Sequence, residues 1–203
     1  RPTGSFSRLT RRELSLVTIA GLVWMFINGA YLVLLSFGPI FLLEQGISFA
    51  EASLVVSLMS WVFIFSLPLG GYLATRFKAP NVVMFTGLIG AIIIGGLIPY
   101  TDMPFVTFLL FGILYAVSAP VVASLPAEVL SPGNRGPGFG IYYIWYYAGS
   151  AFLPVVGGYL KDITGTAASS VLFGVAMMIA TLLLVGLFRL AQAYVPVRAE
   201  FDP

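Results

Sequence analysis

Long apolar runs separated by short polar turns dominate the chain, and such runs occur six times. Each has about 20 residues or more, enough to cross a bilayer as an α-helix, whereas the strands of a membrane barrel alternate over about 10 residues. The pattern predicts an all-α integral membrane protein with six transmembrane helices at about 13–43, 48–75, 81–98, 104–130, 138–160 and 168–194. A cytoplasmic basic linker at 1–12 and a polar tail at 195–203 flank the transmembrane domain at 13–194.

Local signals set some of the helix ends and bends. Ser48 and Glu51 form a capping-box pattern, so the second helix is expected to start there. Pro39 should kink the far end of the first helix, and Pro120 and Pro126 should bend or break the fourth. The two prolines in the fourth helix fit either a bending gate or a plain structural kink.

Composition limits the class of protein and its chemistry. The chain is 59% hydrophobic and 9% charged, with a mean hydropathy of +1.00, whereas soluble domains have about 25% charged residues. Cysteine and histidine are both absent, which removes disulfides, thiolate nucleophiles, histidine bases and the usual metal ligands. We therefore expect no enzyme activity, no catalytic residues, no cofactor and no metal.

The basic residues are distributed unevenly. With both termini inside, nine of the ten lysines and arginines fall on the cytoplasmic side, and only Lys161 lies outside. This positive-inside pattern predicts a multi-pass protein of the inner (plasma) membrane with both termini cytoplasmic, and it explains the net charge of +2 without nucleic-acid binding. No cleavable signal peptide is evident. Because the chain begins at Arg1, we expect it to be a fragment, a processed form or a trimmed form.

A short internal repeat indicates two related halves. The second helix ends Gly70-Gly71-Tyr72-Leu73, and the fifth ends Gly157-Gly158-Tyr159-Leu160, each shortly after a proline. The two motifs hold the same place in successive helix triplets but end on opposite sides of the membrane. This is the pattern expected of two inverted three-helix repeats.

Three motifs in order resemble the C-terminal six-helix half of a major facilitator superfamily transporter. GGYLATRFKAP at 70–80 resembles the family's loop motif, with Thr75 where the family has an Asp. Glu128 followed by Arg135-Gly136 resembles the turn between the family's tenth and eleventh helices, and GGYLKDITG at 157–165 resembles the turn after the eleventh. The resemblance covers nearly the whole chain and is loosely closest to bacterial permeases of the cyanate/nitrate or oxalate/formate type.

The resemblance implies one half of an alternating-access carrier for a small polar or organic-anion solute, by secondary active or facilitative transport. Its partner would be the N-terminal six-helix half or a second copy of the chain, in the lipid bilayer. Helices 1, 2, 4 and 5 would line the cavity, while helices 3 and 6 would face lipid. An autonomous half-size protein working as a homodimer and an inactive structural fragment remain the alternatives.

Polar and aromatic residues within the predicted spans are the candidates for substrate binding. Asn28 could contact solute or form an interhelical hydrogen bond. The tyrosines that open the fifth helix could form an interfacial belt, but Tyr146 lies too deep for a belt and fits a cavity wall better. The predicted substrate-binding set is Asn28, Tyr31, Tyr115, Ser118, Tyr142, Tyr146 and Ser150.

Charged residues are confined to the ends of the predicted spans. Arg76, Glu128 and Arg135 are expected to form an ion cluster at the inner mouth, which by family resemblance would steady the outward-open state. No Asp or Glu lies at mid-membrane to couple transport to a proton or sodium ion, and no Arg or Lys lies there to bind an anion. An anion would therefore be held by hydroxyl groups, Asn28 or helix ends.

Overall fold

A computed structural model describes residues 9–194, and this part of the chain is helical throughout, without strands. Residues 1–8 of the predicted linker and the whole predicted tail at 195–203 lie outside the described residues. The helices are α1 (Arg11–Glu44), α2 (Phe49–Trp61), α3 (Phe63–Arg76), α4 (Pro80–Leu97), α5 (Pro104–Val129), α6 (Arg135–Thr164) and α7 (Ala168–Tyr194). Short 3-10 turns at Ile98–Tyr100 and Pro132–Asn134 complete the described chain.

Five helical segments are long and apolar enough to cross a membrane: α1, α2 with α3, α4 with its 3-10 turn, α5 and α7. The 30-residue α6 is also of membrane length, at about 1.5 Å per residue. It is less apolar because tyrosine and glycine fill much of it. The six-span arrangement therefore stays a prediction, and α6 is the helix on which it depends.

The predicted capping box at the second helix is confirmed, but the helix itself is divided. Ser48 accepts the Glu51 backbone N–H, and Glu51 accepts from Ser48 in return. The predicted single helix breaks at Val62 into α2 and α3. At this level α5 comes close, because a Cβ on Gly112 would lie 2.5 Å from the carbonyl oxygen of Met59.

The prolines do not interrupt the other helices. α5 continues through Pro120 and Pro126, so of the predicted bend or break the structure excludes the break. α1 likewise continues past Pro39 to Glu44. A proline removes one backbone hydrogen bond, and in a bundle the packing of neighbouring helices can keep such a helix continuous. The close-packed small residues Gly112, Ala116 and Ala119 bury this part of α5.

Two helices organise the bundle. α1 packs mainly on α6 and α7, and α5 packs mainly on α3 and α4. The core follows these contacts, with Ile27 and Leu34 of α1 and Phe108 and Phe111 of α5 fully buried. The first predicted triplet corresponds to α1, α2 with α3, and α4, and the second to α5, α6 and α7. The first helix of each triplet thus packs against the second and third helices of the other triplet.

The two Gly-Gly-Tyr-Leu motifs have corresponding surroundings. Gly70 of α3 lies against α5, where a Cβ would collide with the carbonyl oxygen of Val117. Gly157 of α6 lies against α1, where a Cβ would lie 3.2 Å from the Phe37 ring. In both motifs the first glycine faces the first helix of the other triplet, and the tyrosine two residues later is exposed.

Candidate functional site

Aromatic side chains join α1, α3 and α5 near the middle of the bundle. The Tyr31 ring lies 5.1 Å from Phe63 and 5.5 Å from Tyr115, and Phe63 stacks on Tyr115 at 5.2 Å between centroids. The Tyr31 hydroxyl is 3.0 Å from the hydroxyl of Ser60 on α2. Offset aromatic pairs at these separations are attractive, so they hold a phenol from α1 and another from α5 side by side.

A second aromatic cluster joins α1 to α6. Trp24 stacks on Tyr142 with 5.8 Å between ring centroids and lies 6.5 Å from Tyr146. Tyr143 meets Tyr142 edge to face at 5.4 Å. The helical spacing of Phe139, Tyr142, Tyr143 and Tyr146 brings them onto neighbouring positions of one side of α6.

Both clusters involve α1, on which Trp24 and Tyr31 lie seven residues, or about two helical turns, apart. We call five tyrosines of the two clusters the tyrosine face: Tyr31 of α1, Tyr115 of α5, and Tyr142, Tyr143 and Tyr146 of α6. Tyr115 and Tyr142 are buried, Tyr31 and Tyr146 are half-buried, and Tyr143 is exposed. The two clusters thus contain four of the predicted substrate-binding residues.

One phenol of the tyrosine face has an unused hydroxyl group. The Tyr142 side chain is almost completely buried, and its hydroxyl oxygen has no hydrogen-bond partner among residues 9–194. Buried phenol groups usually have a partner.

The amide and hydroxyl candidates bond within their own helices. Asn28 is half-buried and donates to the Trp24 carbonyl oxygen at 2.8 Å, and Ser150 donates to the Tyr146 carbonyl oxygen at 2.8 Å. The alternative reading of Asn28 as an interhelical hydrogen bond has no support within the described residues. Both side chains stand one turn from a residue of the aromatic clusters, so they remain candidates for solute contact.

Ser118 is placed differently from the prediction. It is fully buried, and its hydroxyl donates to the Tyr115 carbonyl oxygen at 2.7 Å. A Cβ on Gly87 of α4 would lie 2.9 Å from the Ser118 Cβ. Ser118 therefore packs between α5 and α4, and its role in solute binding stays a prediction.

The predicted ion cluster is also rearranged. Glu128 accepts from both terminal guanidinium nitrogens of Arg189 of α7, and Gln192 joins them. Within residues 9–194 neither Arg76 nor Arg135 pairs with Glu128. Both arginines are exposed, so solvent can hydrate them while Glu128 ties the end of α5 to α7.

Two glutamates fasten the ends of α1 to the second triplet. Glu13 is 6% exposed and accepts the Ser131 backbone N–H at 2.9 Å and the Asn134 side-chain amide at 2.8 Å, both from the turn before α6. At the other end, Glu44 accepts the Ala167 backbone N–H at 2.8 Å at the start of α7. α1 is thus anchored by a carboxylate at each of its two ends.

Two surface grooves lie away from the tyrosine face. One, of about 270 Å³, lies between α3 and α5 and includes Thr75, Pro120 and Ser124. The other, of about 400 Å³, lies between the start of α1 and the end of α7 and includes Arg11, Arg12 and Ala191. Neither groove contains a residue of the predicted substrate-binding set.

Comparison with known proteins decides the family. The family model described as Major Facilitator Superfamily matches residues 14–202. The chain belongs to the Major Facilitator Superfamily. Comparison with curated proteins and with solved structures found no match.

Membership of the Major Facilitator Superfamily confirms the coarse interpretation of the sequence. The chain is a multi-pass membrane protein of a family of transporters rather than enzymes, with a small-molecule substrate and the lipid bilayer as its surroundings. Its apolar exposed surfaces fit that environment, since α4 and α7 expose Ile93, Leu97, Leu183 and Leu187.

The sequence patterns do not single out Glu13 and Glu44, the two carboxylates that bond to distant parts of the chain. They predict only that a helix covers about 13–43. Thr10 and Glu13 form a capping box like that of Ser48 and Glu51, which signals the start of α1 at Arg11. Nothing in the local sequence of Glu13 indicates that its carboxylate also reaches Asn134, 121 residues away.

Proposed function

We propose that this chain is one six-helix half of an alternating-access carrier, and that the tyrosine face is half of the wall of its solute cavity. The observation that carries the proposal is the graded burial of the tyrosine face. Tyr115 and Tyr142 form its packed back, whereas Tyr143 is 45% exposed. Phenol hydroxyls need polar partners, which lipid tails do not offer, so this surface suits a water-filled cavity closed by a second half.

The contacts of the helices support a pair of inverted repeats. α1 packs on α6 and α7, the second and third helices of the later triplet. α5 packs on α3 and α4, which belong to the second and third helices of the earlier triplet. Gly70 and Gly157 occupy corresponding positions in these contacts. In inverted-repeat carriers the solute site lies near the midplane, where the repeats meet. Tyr31 of α1 and Tyr115 of α5 stack at that junction.

The chemistry of the tyrosine face favours a small polar solute or an organic anion. Phenol and amide groups can donate hydrogen bonds to carboxylate oxygens, and Asn28 and Ser150 stand beside the phenols. Charged side chains lie only near the helix ends, so binding would depend on neutral donors and aromatic surfaces. Such a site releases its solute readily, which suits a carrier.

The second half of the cavity would come from an N-terminal six-helix half or from a second copy of the chain. The exposed aromatic residues of α3 and α6 fit the alternative of a homodimer as well as they fit a separate partner. Phe65 and Tyr147 are 77% and 67% exposed. A second six-helix half of either kind can pack on these two side chains. The mass of the purified particle in detergent separates one copy from two.

Uptake into liposomes tests the transport role. Radiolabelled formate, oxalate and cyanate would be offered to the purified chain and to the Tyr146→Phe and Tyr146→Ala variants, with Tyr159→Ala as the matched control on an exposed part of α6. If a second copy completes the carrier, we expect a dimer whose uptake falls at least tenfold in Tyr146→Ala and is unchanged in Tyr159→Ala. A monomer without uptake would reject the homodimer and indicate that the carrier needs a separate six-helix half. Equal losses in both alanine variants would reject the tyrosine face as the binding wall.

A further inference from the structure

The groove between the start of α1 and the end of α7 has a basic rim and an apolar floor. Its volume is about 400 Å³, within the range of about 300–1,000 Å³ typical of ligand pockets. It is lined by Arg11, Arg12, Ser15, Leu16 and Ile19 of α1 and by Ala191 of α7. These residues serve neither the tyrosine face nor the ion pair of Glu128 with Arg189.

The two arginines carry positive charge that the rest of the described chain does not neutralise. Within residues 9–194 neither guanidinium group has an ionic partner, and the Arg12 Nε atom is buried without a hydrogen-bond partner. The nearest carboxylate in sequence, Glu13, already accepts bonds from Ser131 and Asn134. The groove therefore offers unused donors for an anion.

The lining changes from charged to apolar along α1. Arg11 and Ile19 are eight residues apart, or about 12 Å along a helix. Ser15 lies between them, and Leu16, Ile19 and Ala191 supply the apolar part of the lining. Leu190, the residue before Ala191, is 59% exposed, so the groove opens beside an apolar surface. A free anion would use only the rim, whereas a phospholipid would use the whole length.

We propose that this groove binds an anionic phospholipid, with the headgroup phosphate at Arg11 and Arg12 and the glycerol and upper acyl chain against Leu16 and Ile19. Arginine matches the geometry of phosphate oxygens, and basic pockets between helices on the cytoplasmic side suit anionic headgroups. The positive-inside pattern predicts that this end of α1 lies on that side. The bound lipid fills the outer junction of α1 and α7 and thereby strengthens their packing.

Native mass spectrometry of the detergent-purified chain tests the proposal, with phosphatidylglycerol and phosphatidylcholine added at equal concentration. The Arg11→Gln/Arg12→Gln double variant would be compared with Arg76→Gln/Lys78→Gln, which removes the same charge from an exposed turn. We expect the wild-type chain to retain phosphatidylglycerol preferentially. The first variant should retain it roughly 25-fold less, since each basic residue near an anionic surface contributes about fivefold, and the control should retain it unchanged.

A second variant keeps the test decisive if the double variant fails to fold. Ala191→Phe leaves both arginines in place and fills the apolar part of the groove, so it should also lose the lipid. Equal losses in the two charge variants would overturn the proposal in favour of general attraction to basic residues. Equal retention of phosphatidylcholine and phosphatidylglycerol would also overturn the proposal. So would displacement of the lipid by millimolar inorganic phosphate together with unchanged lipid retention in Ala191→Phe, and this result would indicate a free-anion site.

Discussion

Replacing Glu13 by glutamine should destabilise the bundle far more than the same change at Glu51. Both glutamates belong to capping boxes, but only Glu13 reaches another part of the chain. One carboxylate oxygen accepts the Ser131 N–H at 2.9 Å, and the other accepts the Asn134 amide at 2.8 Å and the Thr10 N–H at 2.9 Å. Glu51 is exposed and bonds only with Ser48 at the start of its own helix.

The expected cost follows from these bonds. Glutamine keeps one acceptor oxygen, but its amide nitrogen would face a donor, so either the Ser131 N–H or the Asn134 amide loses its partner. An unsatisfied buried donor costs about 1–3 kcal/mol. The remaining bonds lose their charge assistance, which costs about 1 kcal/mol each. Glu13→Gln should therefore lower the free energy of unfolding by about 3 kcal/mol, and Glu51→Gln by about 1 kcal/mol or less.

Unfolding by sodium dodecyl sulfate, followed by circular dichroism in a mild detergent, measures both changes on the same scale. In a thermal scan, the midpoint of unfolding of Glu13→Gln should lie about 6–12 °C below that of the unsubstituted chain, given about 2–4 °C per kcal/mol for a chain of this size. Equal midpoints for the two variants would refute the reasoning, because they would mean that the contacts of Glu13 with the turn before α6 add nothing to its local cap.

The other predictions concern helix contacts and the ion pair. Gly70→Ala should destabilise the bundle by about 1–3 kcal/mol through overpacking against α5. Gly71→Ala should be neutral or slightly stabilising, because its Cβ would meet nothing within 4 Å. Similar losses of stability in both variants, measured by the same unfolding assay, would contradict the close approach of Gly70 to α5. A double-mutant cycle of Glu128→Gln with Arg189→Gln should give a coupling of about 1 kcal/mol, since the pair is partly exposed, and the same cycle with Arg135→Gln should give none. Coupling to Arg135 alone would restore the cluster expected from the sequence.

The helices were predictable because hydropathy and capping signals are local. The 168–194 helix has the predicted ends, and Ser48 marks the start of α2. The break at Val62 was not predictable, since it lies where α5 approaches through Gly112, a contact between residues far apart in sequence. The continuity of α5 through Pro120 depends on the same kind of packing.

The candidate site was predictable only in part, for a related reason. Tyr142 and Tyr146 share a side of α6 by helical spacing alone, so that part of the tyrosine face could be predicted. Tyr115 and Ser118 are three residues apart on α5 and both are buried. What separates their surroundings is the approach of Gly87 on α4 to Ser118, a contact between residues far apart in sequence that local patterns do not show. The ionic partner of Glu128 could not be predicted either, because the predicted topology places both Arg135 and Arg189 on the same side of the membrane as Glu128.

The central claim is that the tyrosine face borders water rather than lipid, and thiol labelling tests it most directly. The chain has no cysteine, so Tyr146→Cys and Leu183→Cys each introduce a single thiol, the second on the exposed surface of α7. Only the ionised thiolate reacts, which requires water at the site. In membrane vesicles, a charged methanethiosulfonate reagent should label Tyr146→Cys readily and leave Leu183→Cys unlabelled. Absence of labelling at both positions, or equal labelling, would contradict a solute cavity at the tyrosine face.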